Sequence, residues 1–508
     1  MRKKKILICN LSKNSYTHAL FFEIFTMTTE KQIEKKDENQ TKNNFILEGS
    51  IYKGLFFLAI PILISNILQG SYQFIDAYWI GKLSHEAVAA SSASGTVYFL
   101  ILSLGMGFSM AGTILIAQYA GAKNQKMVNK SASQTLSVDL FLAVLLGAVG
   151  FFNAEGILQL MNVEPAVRSL AVPFLQITFM GMIFSFVFSM FQSILRGVGE
   201  VKFPMYIVTF TVVLNVILDP MFIFGFGFIP AMGMSGAAWA TMLVQAISAI
   251  IGVTVLFRGN YGVKVSLREM WPNFSFIKKV FFLGLPSSVE MSLRSFGMAL
   301  MMTLVTTFGT VALAGFGAGG YIFQMIFFPV MGFSIATSTM IGQNIGARQL
   351  TRVDDIAKKS MILSAGVLSI VGLLVYIFAP FLVGLFIQDE PESTRLAVDL
   401  LRINSWSFPF MAIQFGLTGA FRAAGNATLA MNLGLISVFV IQFPLAFLLS
   451  RTTLEVNGIW WAYAITNVAM TFICLGIFAR GKWKHKNLTN DIKTEGDVAR
   501  ASKSAQIK

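Results

Sequence analysis

Asp76, in QGSYQFIDAYW, and Asp219, in LNVILDP, both fall inside long apolar stretches. A carboxylate in hydrocarbon is costly unless it is partnered, hydrated or protonated, so these two acids are the residues most able to do chemistry. Counted from residue 53, Asp76 lies 23 residues into the first stretch, about 34 Å at the helical rise. Counted from residue 203, Asp219 lies 16 residues into the fifth, about 24 Å. Both depths are in the outer half of a bilayer, which makes the two acids neighbours in prospect. Asn215 precedes Asp219 by four and shares its helix face. Thr241, in GAAWAT, enters from the opposite side and lies eight residues deep, roughly 12 Å.

Oxygen donors from Asp76, Asn215, Asp219 and Thr241 suit a hard cation such as sodium, and the same carboxylates can take a proton. Two close carboxylates cannot both stay ionised without a cation and titrate as one unit, which is the physical basis of ion coupling. These four are the candidate coupling residues and the candidate sodium ligands. Gln69, two turns before Asp76, joins Asp76 and Asp219 as a candidate for a substrate-cavity wall. The plainer alternative is that each Asp caps or pins a helix at the interface.

Other polar positions read as structural. Glu290 and Arg294 are spaced for an ion pair along one helix, and Asp139 is expected to snorkel to the near membrane face. Pro61 and Pro286 hold matching places early in two lead helices; Pro61 is a candidate hinge on the helix that carries Asp76. The 26 Met and 48 Phe could line a plastic cavity, though most Phe are expected to face lipid. Cys9 and Cys474 make no disulfide framework or CxxC motif. His18, His85 and His485 lie outside the expected helices, which excludes a histidine relay or zinc site. There is no P-loop, no nucleophile–base pair and no large polar domain, so no catalytic residue and no enzyme is expected.

The elements that must position these residues are membrane helices. Of 508 residues, 55% are hydrophobic and 13% charged, and mean hydropathy is +0.67. Apolar runs predict spans near 53–80, 88–118, 131–153, 168–195, 203–225 and 233–257, then near 280–308, 314–345, 359–385, 396–421, 427–450 and 457–479. One set of loops carries fifteen Lys and Arg, among them Lys123, Arg196 and Arg348. The other set carries five: Lys82, Arg168, Arg395, Arg402 and Arg451. The imbalance puts both termini in the cytoplasm, and the acidic run at Asp389, Glu390 and Glu392 outside. The net charge of +14 follows from topology and tails and does not call for nucleic acid. No signal peptide is visible, and Met27 is a plausible start.

The twelve spans are two copies of six. GLFFLAIP, ending at Pro61, returns as KVFFLGLP, ending at Pro286, an offset of 225. MGFSMA from Met106 returns as MGFSIA from Met331, and AQYAGA from Ala117 as GQNIGA from Gly342. LRGVG around Arg196 matches FRAAG around Arg422 at an offset of 226. Asp76 then falls opposite Met301, and Asp219 opposite Leu445. Six spans per copy make the repeat parallel, with a pseudo-twofold axis along the membrane normal and a cavity between two lobes. The expected organisation is a polar tail at 1–47, an N-lobe at 48–257, a linker at 258–279, a C-lobe at 280–484 and a tail at 485–508. Buried acids in one lobe only imply a two-lobed transporter with a single ion site.

The IP…LQ…D…G run from Ile60 to Gly81, with AQYAGAKN, LRGVGEVKFPM, LNVILDPMFIFGFG, GAAWAT and GQNIGA, resembles the MATE (multidrug and toxic compound extrusion) family over roughly residues 50–480. The resemblance implies twelve helices in two lobes and export of organic cations or drugs driven by sodium or proton entry. Members with acids in the seventh and tenth helices would have them at Arg294 and Met411 here. The sequence therefore resembles the bacterial branch with its ion site in the N-terminal lobe, at positions matching Asp76, Asn215, Asp219 and Thr241. A flippase of lipid-linked precursors from the same superfamily is the alternative. No cofactor is implied beyond sodium or a proton. The expected partners are small organic cations and the lipid bilayer, and the chain is expected to act as a monomer in the cell inner (plasma) membrane.

Overall fold

The computed structural model describes residues 46–485 and Leu488, apart from 228, 388 and 389. Residues 1–45, with Cys9, His18 and Met27, lie outside the described residues, as do Asp389 and nearly all of the expected tail at 485–508.

Twelve long helices follow in order: α1 Ile51–Ile80, α2 His85–Gly121, α3 Gln125–Leu160, α4 Pro165–Gly197, α5 Lys202–Phe224 and α6 Met234–Arg258. After a linker with one short helix at Leu267–Met270 come α7 Phe274–Thr306, α8 Thr310–Gly346 and α9 Leu350–Gly384. The tenth is broken: α10 comprises Pro391–Ser405 and Phe408–Ala423. α11 spans Ala427–Leu449 with a π-helical turn at Ile436–Gln442, and α12 spans Val456–Ala479. No strand occurs among the described residues. Helices close all their backbone hydrogen bonds within one segment, which lipid demands. Ten of the twelve are long and apolar enough by themselves to cross a bilayer. α7 carries Lys278, Lys279, Glu290 and Arg294, and α10 is interrupted just before Pro409.

Several helices begin earlier than hydropathy suggests because a polar residue caps them. Ser84, Asn124 and Asn273 accept from the backbone N–H of Ala87, Met127 and Phe276. α2 therefore takes in His85, which the sequence reading left outside, and α3 starts at Gln125 rather than near 131.

The repeat is visible in the backbone itself. Lys123 and Arg348, 225 apart, both adopt positive φ, at 54° and 60°. Gly199 and Gly425 do the same at 86° and 81°. Each lead helix leans on the opposite half. A Cβ on Gly107 in α2 would overlap the backbone of Ser288 in α7, and one on Gly332 in α8 would touch Leu63 in α1 at 3.4 Å. Gly107 matches Gly332, and Leu63 matches Ser288, so one small-residue contact is used twice. The linker lies against α3, where the Gln134 amide donates to the Trp271 carbonyl at 2.7 Å and Gln134 Oε1 accepts from the Asn273 N–H at 3.1 Å.

Candidate ion-binding site

α1, α5 and α6 pack together in the first half, and their polar residues meet near the ends away from the termini. Asn215 and Asp219 are fully buried, one turn apart on α5. The Asn215 Nδ2 donates to Asp219 Oδ1 at 2.8 Å and reaches Thr241 Oγ1 of α6 at 3.5 Å. Asp76, on the last turns of α1, neighbours Asp219, Asn215 and Thr241. All four expected residues thus share one cluster. What remains is a set of acceptors without donors: Asp76 Oδ1, Asn215 Oδ1 and Asp219 Oδ2 are buried and make no hydrogen bond. Three such oxygens in one apolar setting are costly by themselves, and a hard cation or a proton would satisfy them. Among the described residues no group of three or more His, Cys, Asp and Glu could hold a metal ion. Two carboxylates with an amide and a hydroxyl make the softer transition metals the poorer match.

Tyr72 was not singled out by sequence reading, although it stands one turn before Asp76. Its hydroxyl donates to the Thr211 carbonyl at 3.2 Å, and Thr211 stands one turn before Asn215. This bond braces α1 against α5 just beside the carboxylates.

Gln69 is not brought to the cluster by any hydrogen bond. Its amide donates to Gln192 Oε1 at 3.1 Å, and the same oxygen accepts from Arg196 at 2.6 Å. Asp139 corrects the snorkelling expectation: it is fully buried and neither carboxylate oxygen has a hydrogen-bond partner. Neighbouring helices enclose the side chain, so it does not reach a solvated face.

The matching places in the second half hold no carboxylate. Met301 and Leu445 stand where Asp76 and Asp219 stand, and both belong to an apolar cluster with Val305, Trp460 and Tyr463. Charge in that half is self-contained: Glu290, fully buried, pairs with Arg294 at 3.0 Å and with Arg422 at 3.1 Å. The helical spacing foretold Arg294; Arg422, on α10, was not legible in it.

Comparison with known proteins meets the same duplication. A family model described as MatE matches twice, over residues 61–221 and 286–448. "Probable multidrug resistance protein YpnP" of Bacillus subtilis is 31% identical over 444 residues, covering 87% of this chain and 98% of its own. "Probable multidrug resistance protein NorM" of Thermotoga maritima is 29% identical over 441 residues, covering 86% and 94%. Among solved structures, "Outward-facing conformation of a multidrug resistance MATE family transporter of the MOP superfamily" superposes with a TM-score of 0.81 at 23% identity, covering 86% of this chain and 97% of that one.

Proposed function

The chain belongs to the MATE family, a multi-pass membrane protein of two six-helix lobes, and on that premise we propose that it is a cation-coupled secondary antiporter exporting organic cations or drugs by alternating access. The observation that carries the coupling is the trio of buried, partnerless oxygens on Asp76, Asn215 and Asp219. A sodium ion or proton entering from outside satisfies them and neutralises the carboxylates. A cationic substrate held by the same charge is then released, because the attraction that held it is gone. The names of the relatives from B. subtilis and T. maritima support drugs as cargo.

The ion site lies in the N-lobe only, since its counterpart is filled by Met301 and Leu445. Positive charge on the loops of the termini-bearing side supports cytoplasmic termini and a plasma-membrane location. Pro61, buried in α1 with its carbonyl accepting from the Ser65 hydroxyl at 2.8 Å, is the hinge through which ion binding bends α1.

Proteoliposomes carrying the purified chain test this directly. Efflux of a cationic dye is expected to follow an imposed inward sodium or proton gradient. Efflux that survives collapse of both gradients overturns the antiporter reading.

A further inference from the structure

Gln118 and Gln343 are the same residue of the repeat, 225 positions apart, and each crosses to the other lobe. The side-chain amide of Gln118, on α2, donates to the Ala423 carbonyl at the end of α10 at 2.7 Å. That of Gln343, on α8, donates to the Gly197 carbonyl at the end of α4 at 2.9 Å. Both glutamines are buried, and their acceptors are matched positions too, 226 apart. Between the two bonds, α2 and α8 cross backbone to backbone. A Cβ on Gly121 would overlap the Gln343 carbonyl, and one on Gly346 would overlap the Gln118 carbonyl. Apolar residues complete the seam in the same reciprocal way. Val201, from the first half, shares a cluster with Ile341 and Ile345 of α8; Ala427, from the second, shares one with Leu115 and Ile116 of α2.

Each crossing is also covered by a residue flanking the helices. The Ile46 side chain lies over Gly199, and its carbonyl accepts from Asn344 Nδ2 at 3.4 Å. On the other side the Leu488 N–H donates to Gln118 Oε1 at 3.0 Å.

We propose that the reciprocal Gln118–Ala423 and Gln343–Gly197 bonds form the gate that closes the termini-bearing side of the protein, and that the two break together when the lobes rock apart. A buried amide and its carbonyl part without loss only when water replaces both, so neither bond can open while the other holds the seam dry. Two net hydrogen bonds, each worth about fivefold in the closed-to-open ratio, hold the gate shut yet leave it openable. The proposal deepens the alternating-access reading and rests on it. Its test uses no substrate or ion gradient, so failure here and failure of ion coupling are told apart.

The full chain carrying Cys9→Ser and a reporter, Val201→Cys in the seam, is purified in detergent, and maleimide modification is timed at that cysteine and at native Cys474. Cys474 is fully buried inside the second lobe and reports loss of fold. Gln118→Leu and Gln343→Leu are each expected to speed reporter modification about fivefold, and the double variant about 25-fold, with Cys474 unchanged. An unchanged reporter rate in the double variant overturns the gate. So does a parallel rise at Cys474, which would assign the glutamines to folding instead.

Discussion

The amide of Asn215 lies 2.8 Å from Asp219 Oδ1, one helical turn further along α5. That bond occupies one carboxylate oxygen and leaves Oδ2 buried and partnerless. In the proposed site Asn215 would orient as well as bind: its amide engages one carboxylate oxygen of Asp219 and leaves the other for an ion. The C-lobe has apolar residues at the matching acidic places, Met301 and Leu445, and no such orientation is possible there.

Neutralising either acid is expected to abolish coupled efflux while leaving the protein folded. Asp76→Asn and Asp219→Asn each remove an anionic ligand but keep the shape and a hydrogen-bonding group. Gradient-driven dye efflux from proteoliposomes should fall at least tenfold, roughly the loss of 1.4 kcal/mol of ion affinity or more. The thermal unfolding midpoint should hold or rise, since a buried carboxylate carries a desolvation cost that an amide does not. Normal efflux from the double variant would remove the basis of the mechanism.

Tyr72 gives a milder test of the same geometry. Tyr72→Phe deletes the bond to the Thr211 carbonyl and leaves the ring in place. A loss of about 1 kcal/mol in stability is expected, together with a several-fold weaker half-saturating ion concentration, because α1 and α5 are no longer held in register beside the acids. Stability loss with unchanged ion dependence would make the tyrosine a brace only.

Much of this site was legible from sequence because its signals are local. Asn215 and Asp219 share a face by helical spacing, and depth along α1 and α5 puts Asp76 and Asp219 both in the outer half of a bilayer. Helix starts were less legible: the polar run after Asn124 hid six residues of α3. Contacts between helices carry no period at all. Nothing in the spacing says that Gln69 meets Gln192, that Arg422 meets Glu290 across 132 residues, or that Gln118 reaches Ala423. The repeat did mark AQYAGA and GQNIGA as equivalent, but only packing shows that the two motifs cross each other.

Asp139 should be dispensable to folding. Its carboxylate is fully buried and its oxygens meet no donor, so it contributes a cost without a bond. Asp139→Leu is expected to stabilise the protein by about 1 kcal/mol or more, read as a higher unfolding midpoint. A marked fall in that midpoint would mean that the acid has a partner the described contacts do not reveal.

Glu290 should behave in the opposite way. It compensates two guanidinium groups, and that of Arg422 is buried as deeply as the acid itself. Glu290→Ala strands Arg422 in the C-lobe and is expected to cost about 3–5 kcal/mol, seen as a large drop in unfolding midpoint and yield. Arg294→Ala should cost far less, because Arg294 is partly exposed and Glu290 keeps Arg422. Equal losses from the two variants would contradict this division.

As the proposed hinge, Pro61 should separate binding from movement. Proline cannot donate a backbone bond at its turn, which leaves α1 pliable below the ion site, with the Ser65 hydroxyl on the Pro61 carbonyl steadying the turn. Alanine restores the missing donor and stiffens the helix. Pro61→Ala should therefore bind sodium or protons within about twofold of the parent, since Asp76 and Asp219 are untouched, yet transport at least tenfold more slowly, a barrier raised by about 1.4 kcal/mol. Equilibrium ion binding and dye efflux measured on the same preparation decide it. If efflux is unchanged, α1 does not bend at this turn during transport; if binding falls in step with efflux, the proline shapes the site rather than the motion.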